Sequence, residues 1–278
     1  MRLSELGERG LLAELERRGL ARGIEHDAAQ LAGGLVVTQD ALVEDVHFKL
    51  AWTTYRELGY KGAAVNLSDL AASGATPDAL LVTLGAPADT GLDDVLELYA
   101  GLNEPGVAVV GGDTTRAERL YLSVTALGRS ERVPGRDGAR PGDLLVVTGP
   151  LGAAGAAFRR RKHARPPLRL EEGRRLARVA HALIDVSDGL SVDAGHLAGR
   201  SGCRIAIDLE DVPLAPGATV EDLAFGEDYE LLAATPDPLG FRVVGRCGDG
   251  EGLEIRLEGS PVELSGWDHF GGRESDLH

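Results

Sequence analysis

Cysteine and aromatic residues are scarce in this chain: two Cys, two Trp, five Phe and five Tyr among 278 residues. Two cysteines are too few for a disulfide framework. Cys203 and Cys247 also lack the paired spacing of a zinc site, so both read as ordinary buried thiols. With aromatics at 4 %, the core has to be built from Ala, Val and Leu. No apolar run approaches the roughly 18 residues that would cross a bilayer. Met1 to Arg22 is charged throughout and has no signal-peptide apolar segment. The reading is a soluble, cytoplasmic chain without a membrane partner. Basic residues are also in the minority, 29 Lys and Arg against 44 Asp and Glu, a net charge of −15. That balance argues against sequence-independent nucleic-acid binding, which requires basic surface. An acidic chain that handles phosphates needs metal cations to bridge the charges. Three common catalytic signatures are missing: the Walker G-x-x-x-x-G-K-[ST], the G-x-S-x-G elbow and the H-E-x-x-H helix.

What is present is a run of alternating strand and helix patterns. Leu3 to Arg18 reads as an amphipathic helix interrupted at Gly7 and Gly10. Gly23 to Ala29 follows as a loop leading to a buried strand that begins at Leu35 and breaks into polar residues at Asp40. Thr53 to Ser73 predicts a long helix ended by Gly74. Further strands are expected at Ala79–Ala86, Gly106–Val110 and Leu120–Leu127, with a helix over Gly91–Asn103. The turn-rich stretch Gly135 to Gly142 marks a domain junction, giving domains of residues 1–138 and 139–278. In the second domain, helices are expected at Leu151–Arg161, Glu171–Ala182 and Leu190–Arg200. Strands are expected at Leu144–Thr148, Arg204–Leu209, Phe241–Cys247 and Leu253–Leu257, and Phe225–Leu232 reads as a loop entering a strand. The basic run Arg159 to Lys162 reads as a solvated helix end.

One device recurs along this pattern: an Asp at the end of an apolar element. Asp27, Asp40, Asp69, Asp113, Asp185 and Asp188 all fit it. Asp69 sits about one turn from a helix C-terminus, where the dipole disfavours negative charge, and Asn66 and Ser68 stand beside it. Gly111-Gly112-Asp113-Thr114-Thr115 reads as a turn that lets backbone approach a phosphate and delivers a carboxylate at once. Asp185 and Asp188 flank Ser187 before a helix, where either can serve as N-cap. Carboxylates in this number can hold several Mg²⁺ ions around a polyphosphate, which favours phosphoryl transfer.

The order of the motifs adds to this. Thr38 to Phe48, Lys61 to Ala72, Gly111 to Thr115, Ile184 to Leu190, Gly226 to Leu231 and Gly266 to Phe270 resemble, in sequence and in order, the signatures of thiamine-monophosphate kinases. The resemblance implies an α/β (α+β) chain with the two-domain fold of aminoimidazole ribonucleotide synthetase. The N-terminal domains would pair into a β-barrel across a homodimer. It also implies ATP-dependent conversion of thiamine monophosphate to thiamine diphosphate with several Mg²⁺ ions. By motif, Asp27, Thr38, Asp40, Asp69, Asp113, Asp185 and Asp188 would hold metal, with Asp113 and Asp188 closest to the chemistry. Gly112, Asp113, Arg136 and Ser187 would touch ATP. His47, Asp69, Glu227 and Trp267 would face the thiamine substrate. The chain departs from the family pattern at Glu25-His26, Gln39 and Asp45, where Gly-Asp, Thr or Ser, and Gly are usual; this bears on one metal position. Two other readings stay open on the residues. One is another ATP-using enzyme of the same superfamily, such as a selenophosphate synthetase or hydrogenase-maturation protein. The other is a non-catalytic acidic protein that binds divalent cations or nucleotides.

Overall fold

A computed structural model of the chain describes residues 2–23 and 26–267. The first half builds one sheet over one buried helix. The opening helix, α1 (Leu3–Arg17), is broken at Gly7, whose φ of 70° leaves the helical region, but it runs on through Gly10, where an interruption is also expected. Strands β1 (Ala29–Leu31), β2 (Leu35–Val43), β3 (Thr76–Ala86), β4 (Val109–Arg116) and β5 (Tyr121–Arg129) order as β1-β2-β5-β3-β4. Only β3 and β4 run parallel, joined over α3 (Leu92–Asn103).

Helix α2 (Tyr55–Ala72) starts from a capping box: the Thr54 side chain accepts the Glu57 N–H, and Glu57 accepts the Thr54 N–H. It is buried from Leu58 to Ala72 at every position but Asp69. A helix hydrophobic on all sides has to be enclosed on all sides. This one packs on β2, β3 and β5, on α3, and on α5 and β7 of the second half. Gly59 and Gly101 make the α2–α3 crossing close, since a Cβ on either would lie 1.9 Å from a backbone oxygen of the other helix. Val36, Leu42, Val82, Leu84, Leu122 and Val124 form the sheet's side of this core. The opposite face of the sheet is uncovered, with Leu81 38 % and Val110 64 % exposed, and edge strand β4 is exposed from Val110 to Arg116.

The second half is a seven-stranded mixed sheet, β12-β11-β8-β10-β6-β9-β7. Its strands are β6 (Leu144–Val147), β7 (Ala182–Asp185), β8 (Arg204–Asp208), β9 (Leu231–Thr235), β10 (Arg242–Gly248), β11 (Gly252–Leu257) and β12 (Ser260–Pro261), with only β8 and β11 parallel. Helices α4 (Ala153–Arg159), α5 (Leu170–Ala177) and α6 (Leu190–Ser201) complete it. Leu145, Ile184, Ile205, Ile207, Leu197 and Val244 make an aliphatic core. Cys203 and Cys247 are buried free thiols within it, and burial pushes the Cys247 thiol up to about 12. Among the described residues no helix is long and apolar enough to cross a membrane.

Several local expectations need correcting. Gly111 to Thr115 is not a turn but the body of β4, because parallel pairing with β3 runs on through Gly112↔Val82 and Asp113↔Thr83. Asp40 lies inside β2, not beyond it, paired with Val124. The helix expected over Glu171–Ala182 stops at Ala177, and Ala182 instead opens β7, which pairs with β9. Neither Asp185 nor Asp188 is an N-cap; α6 is capped at Gly189. Arg159 is more than a solvated helix end, since it is ion-paired to Asp222 and donates to the Gly217 carbonyl.

Candidate active site

The two halves meet across a cleft of about 790 Å³ whose floor is acidic. Three elements converge there. The loop before β1 brings Asp27, α2 brings Asp69, and the last residue of β7 is Asp185; their carboxylate oxygens lie within 4.8 Å of one another. The residues around them hold this arrangement. Thr38 on β2 donates to Asp69, and Ser68 Oγ donates to Asp185 Oδ2 at 2.6 Å. Asn66 Oδ1 accepts the Asp40 N–H at 3.0 Å, and Arg136 donates to Asp27 Oδ1 at 2.6 Å. Asp40 and Asp188 line the same cleft. Burial, joined by the charges of Asp40, Asp185 and Asp27, raises the Asp69 carboxyl well above the usual range. Burial and the Asp27 charge push Asp185 up to about 8. Carboxylates assembled this closely need protons or cations. An all-oxygen donor set of Asp and Thr suits a hard divalent ion such as Mg²⁺.

One wall is the Ser187-Asp188-Gly189 loop. Its three backbone N–H groups all donate to one oxygen of Asp193, each at 3.1 Å. Asp193 is 2 % exposed, so an inward-facing side chain of α6 sets the shape of this loop. Arg136 and Ser187 line the cleft beside it. Gly112 and Asp113 do not: they lie on exposed β4 and are not among the residues lining the chain's own cleft. Eight of the ten residues singled out from the sequence for metal or nucleotide thus gather in one place, and these two stand apart.

His47, Glu227 and Trp267 also line the cleft, and the Glu227 backbone N–H donates to the Ser187 carbonyl at 2.7 Å. The Val43 N–H donates to His47 Nδ1 at 3.0 Å, which leaves the ring proton on Nε2. Trp267 is tied by its backbone N–H to the Asp188 carbonyl at 3.0 Å; the rest of its motif, Asp268 to Phe270, lies outside the described residues. Glu227 projects from a strained loop in which Gly226, Glu227 and Tyr229 have φ of 81°, 56° and 52°. Non-glycine residues in the left-handed region persist when their surroundings over-determine them. Here Asp228 supplies the anchor, accepting N–H groups of Gly152 at 2.6 Å and Ala154 at 3.3 Å at the start of α4. Glu230 adds a second anchor, taking both arms of Arg169 at 2.6 Å and the Thr148 hydroxyl.

Two of the departures from the family pattern find physical accounts. Asp45 has a φ of 64°, a conformation glycine adopts without strain, and it is ion-paired to Arg119. His26 lines the cleft and its Nδ1 accepts the Arg136 backbone N–H at 3.3 Å.

Sequence reasoning passed over Lys61, His163, Asp193, Asp228 and Glu230. Asp228 and Glu230 stand within the quoted Gly226 to Leu231 motif and carried a signal. Lys61 opens the quoted Lys61 to Ala72 motif, although nothing local marks it as buried; Asp193 carried no signal, because a charged residue on a helix reads as solvated until its neighbours are known.

The family described as AIR synthase related protein, N-terminal domain, matches residues 25–130, and its C-terminal counterpart matches residues 140–239. Thiamine-monophosphate kinase of Aquifex aeolicus is 34 % identical over 97 % of this chain and 100 % of its own. The enzyme of the same name from Mycobacterium tuberculosis is 35 % identical, over 97 % and 93 %. A solved structure, AaThiL complexed with AMPPCP and TMP, superposes with a TM-score of 0.89 at 34 % identity, covering 97 % of this chain and 99 % of that one. The hydrogenase maturation protein HypE shares the fold, at a TM-score of 0.72 and 17 % identity. The chain belongs to the thiamine-monophosphate kinase family and is an enzyme of that family.

Proposed function

We propose that the chain transfers the γ-phosphoryl group of ATP directly, in line, to the phosphate of thiamine monophosphate, yielding thiamine diphosphate. What carries this reading is the convergence of Asp27, Asp69 and Asp185 at the floor of the cleft, bordered by Asp40 and Asp188. Several Mg²⁺ ions would be held by Asp27, Thr38, Asp40, Asp69, Asp185 and Asp188. When bound they would neutralise the charge of the two phosphate-bearing substrates. The protein's own groups do the positioning. Arg136, fixed by Asp27, meets the nucleotide phosphates together with Ser187, and Asp193 keeps the Ser187–Gly189 loop in shape. His47 Nε2–H, Glu227 and Trp267 face the thiamine moiety, with Trp267 offering a ring to the cationic thiazolium. No general base is assigned. A phosphate monoester has its second pKa near 6, so it is mostly dianionic at pH 7 and attacks without losing a proton.

The same reading extends to a homodimer working in the cytoplasm. The domains divide at 138/139, the first serving dimerisation and metal binding, the second completing the site. An uncovered sheet face and a bare edge strand β4 suit closure against the same sheet of a second copy, into a barrel. In such a dimer Gly112 and Asp113, which do not reach their own cleft, serve the cleft of the partner. The experiment is ADP release with thiamine monophosphate or thiamine at saturating Mg-ATP. Thiamine should be slower by at least about 10³-fold, having a hydroxyl that needs a base and sits one phosphate short. Equal rates would refute direct attack by a phosphate oxygen.

A further inference from the structure

Beside the main cleft lies a smaller chamber of about 60 Å³, which shares Trp52, Phe158, Phe225 and Glu227 with it. Three of these are aromatic. Phe158 packs edge-on to Trp52 at 5.5 Å and against Phe225 at 4.9 Å between ring centroids. The chamber's inner wall is Lys61, whose side chain is 2 % exposed although it sits mid-way along α2. Lys61 Nζ donates to the His47 carbonyl at 2.9 Å and to Glu227 Oε1 at 2.6 Å. It therefore ties the β2–α2 connection of one domain to the strained loop of the other. Desolvating a lysine is costly unless it is paired and hydrogen-bonded. An ammonium has three N–H groups, and among the described residues Lys61 engages two. Glu227 Oε2 has no partner among them either, and the buried His163 Nε2 in the same wall has none.

The polar inner edge of the chamber is thus a donor and an acceptor side by side between aromatic walls. That pattern matches a planar N=C–NH₂ edge, which accepts at the ring nitrogen and donates from the amine. Thiamine monophosphate carries one such edge, on its 4-aminopyrimidine ring. The thiazolium cation fits the chamber less well, because Lys61 beside Glu227 cancels the charge that would attract it. We propose that Lys61 is a specificity-determining residue for the acceptor, which together with Glu227 reads the amino-pyrimidine edge inside this chamber. The inference rests on the reading that Glu227 faces the thiamine moiety.

The test compares thiamine monophosphate with its 4′-oxo analogue, which reverses donor and acceptor along that edge. A site built to hydrogen-bond one edge rejects the reversed one strongly. The unaltered enzyme should lose at least about 10²-fold in kcat/KM with the oxo analogue. In Lys61→Met, kcat/KM for thiamine monophosphate should fall about 10²-fold, KM for ATP should stay within about twofold, and the preference between acceptors should shrink below about tenfold. Lys61→Gln is measured in its place should the Met variant fail to fold; its amide can present either its NH₂ or its oxygen and so serves either edge, and the same loss of preference is expected. Equal use of both acceptors by the unaltered enzyme, or a variant that keeps the preference, overturns the proposal. Glu227→Gln separates the two levels. If Glu227→Gln alters acceptor kinetics and Lys61→Met does not, only the role of Lys61 is wrong. If neither variant does, Glu227 does not face the acceptor.

Discussion

The acidic floor of the cleft should make the cation-free protein less stable as pH rises, against the usual direction for carboxylates. Two carboxylate oxygens 4.8 Å apart, the outer limit for Asp27, Asp69 and Asp185, repel by about 3.5 kcal/mol at an effective dielectric of 20. The cluster escapes this by keeping protons, and Asp185 is pushed up to about 8 from 3.8. Between those two values the folded state holds a proton that the unfolded state has released. Stability is therefore unaffected by Asp185 below about pH 4 and falls by about 1.4 kcal/mol per pH unit up to about pH 8. At pH 7 the accumulated loss is about 4 kcal/mol, a large share of an ordinary domain's stability. Asp185→Asn removes the titrating group. Other carboxylates with lowered values, such as Glu57 and Glu104, give the opposite slope, so the informative quantity is wild type minus variant. Urea unfolding followed by circular dichroism between pH 5 and 8 in chelator should give a difference that falls by about 3 kcal/mol over two pH units. Excess Mg²⁺ should flatten it, since bound cations replace the protons. A difference that is flat or rises with pH in chelator would mean that Ser68 and Arg136 already hold Asp185 ionised, and the argument for a cation-demanding floor would fail.

Asp113→Asn and Asp69→Asn should each be nearly inactive, but mixing and re-associating them should recover about a quarter of wild-type sites, because half the dimers then carry one intact cleft; no recovery would place Asp113 in its own chain's cleft. Asp193→Ala should lower kcat by about 10²-fold through release of three backbone N–H groups, with Asn restoring part of it; a variant that merely melts earlier at full kcat would make Asp193 a packing residue. Trp267→Ala should raise KM for thiamine monophosphate by roughly 1–3 kcal/mol equivalent and leave KM for ATP near normal; an equal effect on both would argue against stacking on thiamine. Chelator should abolish turnover, and Mg²⁺ should restore it.

Much of this fold can be read from local pattern. The apolar runs starting at Leu35, Ala79, Leu120 and Arg204 are strands, and Thr53 to Gly74 brackets α2 with a capping signal and a glycine of φ 60°. The interruption at Gly7 is likewise visible, because a glycine between charged turns is where a short helix breaks. The aspartates at element ends are legible as a set, since a carboxylate beside an apolar run is costly and repetition of a costly feature points to use. β7 is not legible in the same way. Its Ala182–Asp185 run begins only four residues after a helix ends, and three apolar residues before an Asp have no period of their own.

The sequence by itself determined which stretches are apolar, where the backbone must turn, and which carboxylates sit at the ends of buried elements; these are properties of residues and their near neighbours. Only the tertiary structure decided that Gly111 to Thr115 is strand, because parallel pairing with Val82 and Thr83 supplies its hydrogen bonds. Only there did Asp113 prove to stand outside its own cleft while Asp27, Asp69 and Asp185 met. Lys61 marks the limit most clearly. On a helix it reads as solvated, yet it is enclosed by a carboxylate 166 positions away. No local pattern carries that distance, because a charge can be buried only where another part of the chain arrives to compensate it.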